Sequence, residues 1–357
     1  MHRIAVIPGD GIGPEVIPVA VDVLEAVAAH RPGLDFEFEW HDYGAERYLR
    51  DGTGFPDAER EAIAERCDAI FLGAVGDPRV PGNEHARELI LETRFKLDLY
   101  VNLRPCRLLD PRLCPLKDKG VDDVKFTVFR ENTEGLYVGV GGVFKKGTAD
   151  EVAIQSSVNT AKGVERILRA AYEFARMSGA KKVCMSDKSN ALRYGHDIWQ
   201  RSWKRIAAEY PEIQSSHLYI DVLAMQLVRV PEEFEVIVTS NLFGDIITDL
   251  GAALQGGLGV AASANLNPDR GIGMFEPVHG SAPDIAGRGI ANPTASVLAA
   301  ALMLESLGHP AEAALVEKAV ESALREGATT ADLGGSMDTA GARAYLLTEV
   351  ARLASGM

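Results

Sequence analysis

A chain of 357 residues is too long for one compact core and suits about two domains of ~150 residues each. With 46% hydrophobic and 25% charged residues it has the balance of an ordinary globular protein, not of a disordered one. Acidic residues outnumber basic ones 51 to 37, and the formal charge of −14 argues against nucleic acid as a partner while still allowing a local basic pocket for a small anion.

In chain order, residues 3–7 read as an opening strand that runs into the glycine turn Gly9-Asp10-Gly11-Ile12-Gly13. Pro14 and Glu15 then open a helix that continues to about Ala29. Residues 35–40 alternate as a half-exposed strand, 57–66 are helical, and 69–72 form a short buried strand. That β-α-β-α-β order predicts a layered α/β domain. Further strands are expected over 124–129, 151–156, 182–186, 218–221 and 235–240, with helices over 160–177 and 194–209. The Gly-rich stretch 138–147 suggests an exposed hairpin, and from about Gly256 the pattern turns mostly helical, with helices over 295–306, 311–326 and 340–354. Cys67, Cys106, Cys114 and Cys184 lack C-x-x-C spacing and read as reduced thiols in a cytoplasmic protein. The N-terminus has no apolar signal-peptide core, and the longest apolar run, 295–304, falls short of the ~20 residues of a membrane span.

The strongest chemical signal is Asn241-Leu242-Phe243-Gly244-Asp245-Ile246-Ile247-Thr248-Asp249-Leu250, which follows an apolar strand and begins a helix. Asp245 and Asp249, four residues apart, share a helix face, where like charges repel unless a cation lies between them. Either they sit on a solvated face or, as the apolar neighbours suggest, on a buried element that needs a counter-ion. Oxygen-only ligands favour Mg2+ or Mn2+ over Zn2+. Arg94, Arg104 and Arg130 lie near element ends and offer forks for the two carboxylates of a dicarboxylate, though spacing leaves open whether they converge. Lys188, at the carboxyl end of a strand, and Tyr137 are open between packing and proton transfer. The glycine turn is G-x-G-x-G followed by proline, which is not the dinucleotide fingerprint of a Rossmann fold.

The segment 9–15, Asn102-Leu103-Arg104-Pro105, Arg130-Glu131-Asn132-Thr133-Glu134-Gly135, Asp187-Lys188-Ser189-Asn190, the 241–250 block, residues 275–284 and Ile290-Ala291-Asn292-Pro293 occur in that order. Together they resemble the β-decarboxylating dehydrogenases, which act on isopropylmalate, isocitrate, homoisocitrate, tartrate or D-malate. The resemblance covers nearly the whole chain. It implies an isopropylmalate-dehydrogenase-like two-domain α/β fold, not Rossmann, with residues 1–99 plus 255–357 forming one domain and 100–254 the other. It further implies a homodimer whose active sites, in the cleft between domains, are shared between subunits.

By matching position, Asp245 and Asp249 would bind the metal with Asp221 of the second subunit. Arg94, Arg104 and Arg130, joined by Asn190, would hold the substrate, and Lys188 and Tyr137 would move protons. The resemblance also assigns Ile12, His279, Gly280, Ser281, Ala282, Asp284 and Asn292 to the cofactor. Asp284 stands where NAD-using relatives carry an acid for the ribose hydroxyls, so NAD is expected. Ile90 and Leu91, in the stretch before Arg94, would cover an apolar substituent worth ~2 kcal/mol of burial. That favours 3-isopropylmalate and leucine biosynthesis, whereas Glu88 and Ile90 stand where isocitrate enzymes carry serine and asparagine. Arg87 and Asn132-Thr133-Glu134 depart from the pattern of bacterial isopropylmalate enzymes, and much of the central segment, including 107–116 and Gly141-Gly142, looks closer to D-malate or tartrate dehydrogenases. A non-catalytic regulatory relative is the remaining reading, and it is disfavoured because Tyr137, Lys188, Asp221, Asp245 and Asp249 are all present.

Overall fold

The computed structural model describes residues 1–356 and divides into two compact units. The first comprises Met1–Leu99, Arg107–Val121 and the chain from Ala252 onward; the second comprises Tyr100–Cys106 and Asp122–Gly251.

In the first unit, strand His2–Gly9 lies between Phe36–Trp40 and Ala69–Ala74, parallel to both, and Gly273–Pro277 joins Ala69–Ala74 in parallel. Ala262–Leu266 then pairs antiparallel with Gly273–Pro277. These two strands occupy part of the stretch that the sequence pattern assigned to helix. Each is only five residues long, too short for its period to stand out from the helices that follow. The helix Thr294–Ser306 is apolar all round, and Ala295, Val297, Ala299, Ala300, Met303 and Leu304 are buried. It packs on Gly13–Ala29, Pro310–Glu326 and the strand Gly273–Pro277, which makes it the centre of this unit's core.

The second unit orders its strands Val101–Arg107, Lys125–Glu131, Val236–Thr239, Lys182–Asp187 and Gln214–Tyr219, the last four mutually parallel. The helix Ala161–Ser178 buries Val164, Ile167, Leu168, Ala171, Tyr172 and Ala175, a single stripe with helical spacing. Thr160 caps it by accepting the Gly163 amide.

Three local expectations are corrected here. The strand expected at 218–221 lies at Gln214–Tyr219, and Ile220–Arg229 is a helix with Asp221 in its first turn. Its buried residues, Leu223 and Leu227, are four apart, so the helical period prevails over the β-branched start. The helix expected from 194 begins at Asp197, and Tyr194 stays in solvent. Residues 138–147 do not close a hairpin alone; Gly141–Phe144 pairs antiparallel with Val152–Gln155. That two-stranded ribbon exposes Val143, Phe144, Val152 and Ile154.

All four cysteines are free. Among the described residues no helix is long and apolar enough to cross a membrane.

Candidate active site

The helix Asn241–Gln255 begins two residues after strand Val236–Thr239 and carries both Asp245 and Asp249. The expectation of a buried carboxylate pair is not met: the Asp245 side chain is 37% exposed and Asp249 is exposed. The apolar residues that suggested burial divide between faces. Ile247 packs inward, whereas Ile246 is exposed on the carboxylates' side.

Asp245 is the hub of this site. Its Oδ1 accepts from Nη1 of Arg130 at 2.5 Å and lies 3.5 Å from Nη1 of Arg104; its Oδ2 accepts from the Tyr137 hydroxyl at 2.8 Å. Arg130 is the next-to-last residue of strand Lys125–Glu131, is 1% exposed, and is aimed by Asn241, whose Oδ1 accepts from its Nε and Nη2. The Arg130 guanidinium lies 5.2 Å from the centre of the Tyr137 ring. A Cβ on Gly244 would come within 2.6 Å of the Arg130 side chain, so the first turn of the helix admits only glycine there. Arg104, also buried, donates to Thr248 Oγ1 at 2.7 Å.

Partial desolvation and then the neighbouring Asp245 charge hold the Asp249 carboxyl above its ordinary pKa, against the pull of Arg104 and Arg130. A cation between the two carboxylates would relieve that cost. Two carboxylates of hard oxygen are also the donor share that Mg2+ or Mn2+ takes from protein, substrate and water supplying the rest. Among the described residues, no three His, Cys, Asp or Glu side chains gather as metal ligands, so Asp221 does not join Asp245 and Asp249 within one chain.

Asp221 instead accepts from Lys188 Nζ at 2.5 Å, and this bond, more than any other influence, holds its carboxyl below the usual range. Lys188 follows strand Lys182–Asp187 in a turn built on the buried Asp187. The Asp187 carboxylate takes bonds from Ser189 N and Oγ, Gln200 Nε2 and the His217 ring, while Lys188 N donates to His196 Nδ1. Asn190 is exposed in the same turn. Asp187 stands in one of the segments that carry the resemblance, but His196 and His217 are not legible beside it, because 30 residues separate Asp187 from His217 and no motif spacing links them.

Glu131 was also passed over, although it lies inside a quoted motif. Nearly fully buried, it accepts from Thr133 N and Oγ1 and from Glu134 N, and Arg166 adds a bond to the Thr133 hydroxyl. It thereby shapes the loop that leads to Tyr137. Burial pushes its pKa up to about 7 from 4.5, against the three bonds it accepts. A carboxyl raised on folding contributes most below its unfolded pKa, and the contribution falls as pH rises toward the folded value. Stability should therefore drop between pH 4.5 and about 7, by about 3 kcal/mol at most. Glu131→Gln should flatten this part of the profile of melting temperature against pH; an unaltered slope would remove Glu131 as its origin.

In the first unit, Arg94 is buried and donates to Glu276 Oε1 at 2.7 Å; Asn265 Nδ2 shares that carboxylate at 2.8 Å. The buried Arg94 Nε has no hydrogen-bond partner in the protein. Ile90 and Leu91 are half-buried one turn before it.

The candidate cofactor residues meet at the glycine turn. Ile12 N donates to Ser281 O at 2.9 Å, and Gly11, with φ +55°, approaches so closely that a Cβ would lie 2.0 Å from that oxygen. Ile12 packs with Val16, Ala74 and Ala291 against Ala282, Ile285 and Ala286. Glu15 accepts from Gly287 N and Gly289 N, closing the loop onto the first helix. Ala282 holds φ +40°, and Gly280 and Asp284 are exposed. Asn292 is tied to Asp332 and Thr294. The His279 ring bonds Gly280 O through Nδ1, its Nε2 is buried without a partner, and burial lowers its pKa, so the ring is neutral. An orphaned ring nitrogen beside a strained, partly exposed loop fits an adenine-ribose ligand in chemistry.

The profile of the isocitrate/isopropylmalate dehydrogenase family matches residues 3–348. A 3-isopropylmalate dehydrogenase of Thermobifida fusca (strain YX) is 49% identical over 325 residues, 91% of each chain. Among solved structures, an isocitrate dehydrogenase from Methylococcus capsulatus superposes with TM-score 0.88 at 38% identity, over 98% of this chain and 100% of that one. A β-decarboxylating dehydrogenase from Thermococcus kodakarensis, in its apo form, gives TM-score 0.80 at 37% identity, over 99% and 98% of the two chains. The chain therefore belongs to the isocitrate/isopropylmalate dehydrogenase family and is a β-decarboxylating dehydrogenase.

Proposed function

We propose that the protein catalyses the NAD- and divalent-metal-dependent oxidative decarboxylation of 3-isopropylmalate, a step of leucine biosynthesis. The observation that carries this reading is the cluster on Asp245: two buried arginines and a phenol in contact with it, and a second carboxylate, Asp249, close enough to feel its charge. Bidentate forks suit carboxylates, so Arg104 and Arg130 hold one end of the substrate, and the first unit offers Arg94 for the same chemistry. Asp245 and Asp249 would hold Mg2+ or Mn2+, which would supply electron withdrawal from the oxygen on carbon 2, and the loop from His279 to Asn292 would hold NAD, which would supply the hydride acceptor.

The chain's own groups handle the protons. Lys188, as the neutral amine, takes the proton of the 2-hydroxyl on its lone pair and becomes the ammonium whose charge Asp221 balances. Breaking the bond to the β-carboxylate releases CO2 and leaves the electron pair on carbon 3, where Tyr137 delivers a proton. Because Asp221 stands apart from Asp245 and Asp249 in the single chain, a second copy is inferred to bring its Lys188–Asp221 pair to this site. The exposed ribbon 141–155 and the outward Met225 and Val228 of helix Ile220–Arg229 supply apolar surface for such a homodimer.

For the substrate, the support is the half-buried pair Ile90 and Leu91 and the 49% identity to 3-isopropylmalate dehydrogenases. For the cofactor, it is the exposed Asp284 carboxylate, which suits ribose hydroxyls and repels a 2′-phosphate. NADH or NADPH formation measured with 3-isopropylmalate, D-malate, tartrate and isocitrate, each with Mn2+ and with NAD or NADP, tests both. We expect kcat/KM for 3-isopropylmalate with NAD to exceed the others by at least about 10-fold. A preference for D-malate or tartrate would reassign the substrate, and no turnover of any would sink the catalytic reading.

A further inference from the structure

The segment carrying Ile90, Leu91 and Arg94 is wound unusually. Glu84–Ala86 is α-helical, Arg87–Glu92 is π-helical, and α-helical winding resumes over Thr93–Lys96. One residue is worth about 100° of rotation on an α-helix, so a π-turn re-aims the side chains before it relative to those after it. Such a turn is rare and persists only where its surroundings hold it.

Arg60, on helix Asp57–Arg66 and 1% exposed, provides that hold. Its Nη2 donates to Phe55 O at 2.8 Å and to Glu88 O at 3.0 Å, its Nε donates to Thr93 Oγ1 at 3.1 Å, and Nη1 pairs with Asp57. One rigid fork thus grips a carbonyl inside the π-turn and the hydroxyl just past its end. The Glu88 carboxylate turns back to accept Phe55 N at 3.0 Å, and the Phe55 ring lies 4.8 Å from the Arg60 guanidinium. At the entrance the fully buried His85 bonds Asp10 through Nε2 at 2.8 Å, and the same carboxylate accepts Ala45 N and Gly76 N. At the exit Arg94 is pinned by Glu276. With both ends fixed, the winding between them decides where Ile90 and Leu91 point relative to the Arg94 guanidinium.

We propose that Arg60 is a positioning residue for substrate choice, holding the π-turn register that sets Ile90 and Leu91 against an apolar substrate branch while Arg94 holds a carboxylate. This rests on the 3-isopropylmalate reading. Arg60 itself touches no substrate, so its removal acts on discrimination and not on chemistry common to all substrates.

The test compares wild type, Arg60→Met and the milder Thr93→Val as full-length enzymes with NAD and Mn2+, measuring kcat and KM for 3-isopropylmalate and D-malate. Arg60→Met should lower the ratio of the two kcat/KM values by about 10- to 100-fold, mainly through KM for 3-isopropylmalate. D-malate, which has no branch to cover, should change by less than about 3-fold. Thr93→Val should shift the ratio the same way by a smaller factor. A parallel fall for both substrates, or an unchanged ratio, overturns the proposal; if Arg60→Met does not fold, Thr93→Val alone decides it. Should wild type prefer D-malate, the substrate reading fails separately. The ratio in the variants still shows whether Arg60 governs discrimination.

Discussion

Asp245→Asn is expected to lower kcat/KM by about 10³-fold or more, because it takes charge from the one carboxylate on which Arg130, Arg104 and Tyr137 meet. An asparagine keeps the volume but offers one weak acceptor, and its amide nitrogen would face either the Arg130 donors or the Tyr137 hydroxyl. The buried Arg130 would then lose the charged acceptor of its Nη1, with the Asn241 amide still aiming its Nε and Nη2. In wild type, a chelator should abolish NADH formation and added Mn2+ should restore it, whereas the variant should recover little at the same Mn2+. Wild-type turnover that persists in chelator, or a variant within about 10-fold of wild type, would refute the role given to Asp245.

Lys188→Met should reduce kcat by about 10²-fold or more with a smaller change in KM, as for loss of a proton-transfer group. Its melting temperature should stay close to wild type, since the pair it breaks is solvent-screened, with Asp221 62% in solvent. Thermal melts separate the two effects. A variant that melts near wild type yet turns over slowly supports proton transfer, and near-normal kcat removes Lys188 from the mechanism.

The sequence patterns disclosed some parts of this architecture and hid others for physical reasons. Elements with a long, clean period were readable: the stripe of Ala161–Ser178, the all-apolar Thr294–Ser306, and the alternation that marks Phe36–Trp40. Those that failed were short or of mixed period, as with Ala262–Leu266, Gly273–Pro277 and the helix that starts at Ile220. In the candidate site, i to i+4 spacing placed Asp245 and Asp249 on one helix face, but their exposure was misread from apolar neighbours that face two ways. The groups that aim the others lay outside any local pattern. Asn241 steers Arg130 across 111 positions, and Arg60 reaches Thr93 across 33. Such contacts follow from topology, which no window of residues contains.

The pairing of Ala69–Ala74 with Gly273–Pro277 has a consequence for biogenesis. On the ribosome the early strand waits for a neighbour encoded roughly 200 residues downstream, about 10–40 s at ordinary translation speeds. The inserted unit can complete its own sheet in that interval. The N-terminal hundred residues cannot, and until then the edge of Ala69–Ala74 stays open to wrong pairing.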